Sequence, residues 1–163
     1  GVELIKYLVK PGYIFGELPL LENQEQESDY AVALEDCVVC FMDVDKLKQL
    51  MRMNEDLNLR IRKLVGIRIR KIENRLVSMI FKTAAERIYD FLVEYATEFG
   101  TPLPDGYEAR LFLKQDEIAR LTAVSRQTVA TVMNDLRNEG KIAYTGSYLK
   151  VLDSPRSIKN NRT

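Results

Sequence analysis

The sequence predicts an α+β fold with strands near the N-terminus, one long central helix, and a C-terminal run of helix, tight turn, helix and hairpin. Three observations predict it. "VELIKYLV" and "YAVALEDCVVCFM" are strand-like apolar runs set off by turn and loop residues. Val65, Ile69, Ile72, Leu76 and Met79 recur at 4-3-4-3 spacing, the seam of two facing helices. In "VSRQTVATVMNDLR", Val129, Val132, Met133 and Leu136 share a helical face behind a polar first turn.

Residues 1–52 read as part of a β domain. Pro11 and Gly12 make a turn, and "ENQEQESD" an acidic loop. Three strands cannot close a barrel or bury both faces, so this reads as the later part of a larger β domain. Gly1 in place of Met reads as a cut N-terminus. Asp43 is placed to cap a short helix, and Asn54 the next. Residues 53–81 form one helix, roughly 35 Å long at its rise per residue. Its seam predicts pairing with a second copy through Val65, Ile69, Ile72, Leu76 and Met79. The alternative is a core helix inside one subunit, but the seam outlasts what the short β segment can cover.

Residues 82–153 form the third region. A helix from near Thr83 carries Ile88, Phe91, Leu92 and Tyr95 on one face, and Gly100 ends it. "TPLPDG" reads as a loop and "YEARLFL" as a strand. "QDEIARLTA" and "SRQTVATVMNDLRNEG" are short helices. "KIAYTGSYLKVLD" is a hairpin turning at 145–147, and 154–163 a polar tail. This order is that of a winged helix-turn-helix. Ala119 is small where the two helices cross, Ile118, Val124, Val129 and Val132 supply their shared core, and Ser125 is a good N-cap. The turn, Thr122–Val124, holds Ala123 where many such motifs hold glycine. A left-handed alanine costs about 1 kcal/mol or more.

The polar first turn then has a purpose. A recognition helix enters the major groove by its N-terminal end. Arg126 suits guanine O6 and N7, and Gln127 adenine N6 and N7. Thr131 lies one turn on. Ser125, Thr128 and the helix amides suit phosphate oxygens, and Gln115, Lys141 and Lys150 are flanking backbone contacts.

Composition narrows the classes. Of 163 residues, 46% are hydrophobic and 29% charged, as in an ordinary globular protein, and no apolar run is long enough for a membrane span. There is no histidine, which counts against many hydrolases and His-ligated metal sites, including a metal-dependent enzyme on a β-roll. Cys37 and Cys40 in "CVVC" have redox or metal spacing. Residues three apart in a strand face opposite sides, so buried structural thiols are expected, in a reducing cytoplasm. Charge is uneven. Residues 1–60 hold 12 acids and 6 bases, net −6, while residues 107–163 hold 6 and 10, net +4. The excess favours an anionic partner for the C-terminal region.

At these motifs the chain resembles the Crp–Fnr family of bacterial transcription regulators. "GYIFGELPLLE" looks like the phosphate-binding cassette of that family's double-stranded β-roll, the cyclic-nucleotide-binding-like effector domain. Residues 57–81 look like its dimerisation helix, and "QDEIARLTAVSRQTVATVMNDLRNEGKI" like its helix-turn-helix, with the hairpin as wing. The resemblance implies a homodimer on a palindromic promoter site in double-stranded DNA, acting through RNA polymerase. It places Ser125, Arg126, Gln127 and Thr131 in the DNA-contact slots. The family often has glutamate at the position of Gln127 and arginine at that of Thr131, so the preferred sequence is expected to differ.

The effector pocket departs further. The resemblance assigns it Gly16 and Glu17, for phosphate and ribose, and an arginine–serine pair after the loop. Ser28 is present, but Glu27, preceded by Gln26, stands where the arginine belongs. Ile72 and Glu73 stand where polar residues reach adenine. An acid beside a phosphate repels it. Cyclic AMP is therefore not expected to bind, and no cofactor is expected. The competing reading is a ligand-sensing or protein-interaction module whose helix-turn-helix no longer binds DNA.

Overall fold

The computed structural model describes residues 5–20 and 30–152. Its helices are α1 (Val44–Met53), α2 (Glu55–Phe81), α3 (Ala84–Phe99), α4 (Gln115–Thr122) and α5 (Arg126–Asn138). Its strands are β1 (Thr101–Leu103), β2 (Gly106–Arg110), β3 (Ile142–Thr145) and β4 (Tyr148–Leu152). Two compact units result: Val9–Val77, and Gly1–Leu8 together with Ser78–Thr163.

In the first unit the caps read from sequence form. The Asp43 carboxylate accepts from the amides of Asp45 at 3.0 Å and Lys46 at 3.1 Å, starting α1. Asn54 Oδ1 accepts from the amide of Leu57 at 2.9 Å, starting the 27-residue α2. The turn at Pro11 and Gly12 closes through the Tyr13 amide and the Lys10 carbonyl at 3.2 Å.

The N-terminal strands are a different matter. Among the described residues of 5–43 none forms a strand ladder. Residues 30–43 run without regular structure, with Val38 and Phe41 each 94% exposed. Cys37 and Cys40 are free thiols on the surface, not buried as their pattern predicts. The reason is common to all of these. A strand is stabilised by neighbouring strands on which its backbone pairs and its side chains pack. With no neighbour alongside, alternation along the chain buries nothing. "VELIKYLV" likewise makes no strand in its described part; Ile5 and Leu8 pack instead on the core of the C-terminal unit.

That core is built from α3, α4, α5 and the sheet. Ile88, Leu92, Ile118, Val129, Met133, Ile142 and Leu149 are its fully buried large side chains. Thr83 and Glu86 form a reciprocal capping box at the start of α3. The Tyr95 hydroxyl donates to the Arg110 carbonyl at 2.8 Å and accepts from the Phe112 amide at 3.3 Å, fastening α3 to the end of β2. The sheet is antiparallel in the order β1-β2-β4-β3.

Residues 101–106, expected as a loop, instead hold β1 and a tight turn into β2, with Leu103 opposite Gly106. Pro102 is tolerated there because β1 is an edge strand, where a missing amide costs no ladder bond. Gly100 does end α3, though not in a left-handed turn: its φ is −106°. Glycine is needed for space, since a Cβ there would stand 2.4 Å from the carbonyl oxygens of Ala96 and Glu108.

Candidate nucleic-acid interface

Two helices and a turn fix the interface. Ile118 and Ala119 of α4 pack against Val129 and Met133 of α5 in one buried cluster. Between them Ala123 adopts φ 53°, ψ 50°, the left-handed conformation that its position predicts. It alone among the described non-glycine residues has positive φ. The Val124 amide closes the turn on the Ala119 carbonyl at 3.1 Å.

Ser125 caps α5, its hydroxyl accepting from the Thr128 amide at 3.0 Å. That hydroxyl also pairs with Thr128 Oγ1 at 2.8 Å. Both hydroxyls therefore organise the helix start, and the free amides of its first turn are the anion-binding groups there. Arg126, Gln127 and Thr131 are exposed, on the side of α5 away from Val129, Met133 and Leu136. The fold thus brings together Ser125, Arg126, Gln127, Thr128 and Thr131 on one helix end.

The flanking residues are arranged differently. Gln115 is the half-buried first residue of α4. Lys141, after α5, pairs with Glu139 at 2.7 Å, which holds its amine above the ordinary lysine value. Lys150, on β4, pairs with Asp105 at 2.9 Å, and this hydrogen bond holds the Asp105 carboxyl below its ordinary value. Either lysine reaches a phosphate only by exchanging its carboxylate for it.

Sequence reasoning passed over two features. Tyr144 of β3 donates to Asn134 Oδ1 at 2.9 Å while Arg137 lies over its ring at 5.3 Å, so the hairpin is bonded to α5. Asn134 lies one turn beyond Thr131, which was the available signal. The second is Arg87 in the first turns of α3. Its guanidinium donates to three main-chain carbonyls, those of Lys82, Thr122 and Ala123. Nothing in sequence spacing points to it.

The residues assigned to an effector pocket lie in the Val9–Val77 unit. Gly16 has φ 71°, a conformation that favours glycine, and turns the chain into Glu17. Glu17 is buried, and its carboxylate pairs with the Arg68 guanidinium of α2, which also donates to the Ile14 carbonyl. Arg68 was not among the residues read from sequence; it sits one turn before Ile72, facing off the apolar seam. Ile72 is 56% exposed and Glu73 is exposed too. Gln26, Glu27 and Ser28 lie outside the described residues, as does the tail.

With this geometry in view, residues 86–156 match the Crp-like helix-turn-helix domain and residues 1–54 the cyclic nucleotide-binding domain. Among curated proteins, the CRP-like cAMP-activated global transcriptional regulator of Mycobacterium tuberculosis is 26% identical over 99% of this chain and 72% of its own length. The global nitrogen regulator of Synechocystis is 27% identical over 93% of this chain and 68% of its own. Among solved structures, a CooA mutant from Carboxydothermus hydrogenoformans superposes with a TM-score of 0.61 at 26% identity, covering 68% of this chain and 51% of that one. FixK2 from Bradyrhizobium japonicum superposes with a TM-score of 0.59 at 18% identity, which shows the fold alone. The chain spans about half the length of these solved structures. No helix among the described residues is long and apolar enough to cross a membrane.

Proposed function

We propose, for a chain that belongs to the Crp–Fnr family of transcription regulators, that it acts as a homodimer reading a palindromic site in double-stranded DNA. One observation carries the reading. The helix that buries Val129, Met133 and Leu136 leaves Arg126, Gln127 and Thr131 free on its other side. Arg126 is the guanine reader and Gln127 the adenine reader, each able to bond two base-edge atoms. The capped start of α5 aims its amides at phosphate. Two such helices, one per protomer, set the half-sites about one helical turn apart.

Regulation then proceeds through contact with RNA polymerase in the cytoplasm, and the chain does no chemistry of its own. Cyclic AMP is not its effector: the Glu17 carboxylate, the ribose partner in cyclic-nucleotide binders, is already neutralised by Arg68. The test is a selection from a random duplex library at about 100 mM salt, low enough to retain phosphate contacts. Enrichment of an inverted repeat with half-sites roughly 10 bp apart is expected. A flat pool, with the protein folded and dimeric, overturns the reading in favour of a sensing or interaction module.

A further inference from the structure

Arg87 stands between two places where this fold turns. α2 ends at Phe81 and α3 begins at Ala84, so the Lys82 carbonyl belongs to the hinge that joins them. α4 ends at Thr122, and Ala123 is the left-handed residue of the helix-turn-helix. The Arg87 guanidinium donates through Nη1 to Lys82 O at 2.9 Å, through Nε to Thr122 O at 3.0 Å and through Nη2 to Ala123 O at 3.3 Å. One planar group therefore closes both the hinge and the turn, which lie 40 residues apart in sequence.

The base of the side chain is held as firmly as its end. The Arg87 amide donates to Thr83 O at 3.0 Å. Glu86 Oε2 accepts from the Thr83 amide at 2.8 Å, and Thr83 Oγ1 accepts from the Glu86 amide at 3.3 Å. Asp90 also takes the Lys82 amine. At the far end, the two carbonyls it holds are orphan acceptors of a helix C-terminus, next to the strained alanine. Lysine could not replace this fork, since it is a point donor on a flexible stem.

We propose that Arg87 is a positioning residue that couples the hinge after the long helix to the orientation of the recognition helix. Three donors on one rigid plane cannot follow a moving hinge and a fixed turn at once. A rearrangement at Lys82 either breaks a bond at Thr122 or Ala123 or carries the turn with it. The turn sets where α5 starts, and so where Arg126 and Gln127 point. The functional part of the inference rests on the DNA-reading assignment; the mechanical part does not.

The experiment uses the full chain and needs no ligand. Two amides report the two ends by hydrogen exchange: Lys82, bonded to Ser78 O at 3.0 Å, and Val124, bonded to Ala119 O at 3.1 Å. Arg87→Lys is expected to speed exchange at both by about 3- to 30-fold, the usual size of coupling effects. Thr83→Ala, which disturbs only the hinge, is expected to speed Val124 exchange in the parent and to add nothing in the Arg87→Lys background. A Val124 amide indifferent to Thr83→Ala overturns the coupling, as does an equal response in both backgrounds. Circular dichroism shows that each variant is folded, and Thr83→Ala keeps the test alive if Arg87→Lys is not.

A second readout is the ratio of specific to random-duplex affinity, expected to fall in Arg87→Lys and to stay low when Ala123→Gly is added to relieve the turn. Full restoration by Ala123→Gly would mean that Arg87 only holds the turn, and sinks the proposal. If the parent protein prefers no duplex, the DNA reading fails while the exchange result still decides the coupling.

Discussion

Arg126 and Gly100 show how differently single residues matter in this fold. Arg126 is exposed, and no buried neighbour depends on it. Arg126→Ala should leave thermal stability within about 0.5 kcal/mol, as surface changes do. In a binding assay against a selected duplex it should cost about 1–3 kcal/mol and relax one guanine position. Uniform weakening across all sequences would reassign Arg126 to phosphate. Gly100 is the opposite case, silent in function and confined in space. A methyl group there meets two carbonyl oxygens at 2.4 Å, and overpacking of this kind costs about 1–3 kcal/mol. Gly100→Ala should lower the urea midpoint by that amount with an unchanged slope. An unchanged midpoint would show that the α3–β2 contact relaxes freely.

Local chemistry decided which elements were legible in the sequence. α1, α3 and α5 start where Asp43, Thr83 and Ser125 cap them, because a cap is specified by one side chain and amides within three residues of it. The β1–β2 hairpin was missed because Pro102 reads as a loop residue until the strand is known to be an edge. The α3 cap also carries a pH dependence. Hydrogen bonds from the Thr83 amide and hydroxyl hold the Glu86 carboxyl below its usual 4.5, and the charge of Lys82 adds to this. A depressed folded value means that the box contributes fully above the ordinary value and is lost as pH falls through the folded one. The thermal midpoint should therefore drop below about pH 4.5 more steeply in the parent than in Glu86→Gln, which keeps an acceptor but does not titrate. Equal slopes would place the acid sensitivity elsewhere, with Asp105, lowered by Lys150, as the next group to replace.

For the molecule as a whole, what sequence periodicity could not say is who supplies the missing neighbours. The C-terminal core is self-sufficient, so its pattern of buried residues followed from spacing alone. Residues 30–43 have the same apolar character yet pack on nothing described, because burial depends on partners that alternation does not name. Arg68 and Arg87 escaped notice for a related reason: each acts across 40 or more residues, on Ile14 and Glu17 or on Thr122 and Ala123. The seam of α2 poses the partner question most sharply. Ile69, Ile72 and Leu76 are 53–56% exposed in a single copy, Met79 is exposed at 38%, and Val65 is half-buried. Each such side chain gains about 1.5–3 kcal/mol on full burial, so five of them contributed by each of two helices make a strong case for self-association. A continuous apolar stripe of this length is the mark of an interaction surface. Ile69→Asp with Leu76→Asp places two charges per protomer in that seam while touching none of the C-terminal core. The parent should sediment as a dimer and the double variant as a monomer of unchanged helix content. Binding of the selected inverted repeat should fall to that of a single half-site. A double variant that remains dimeric moves the interface off this seam, and the surface of residues 30–43 becomes the place to look.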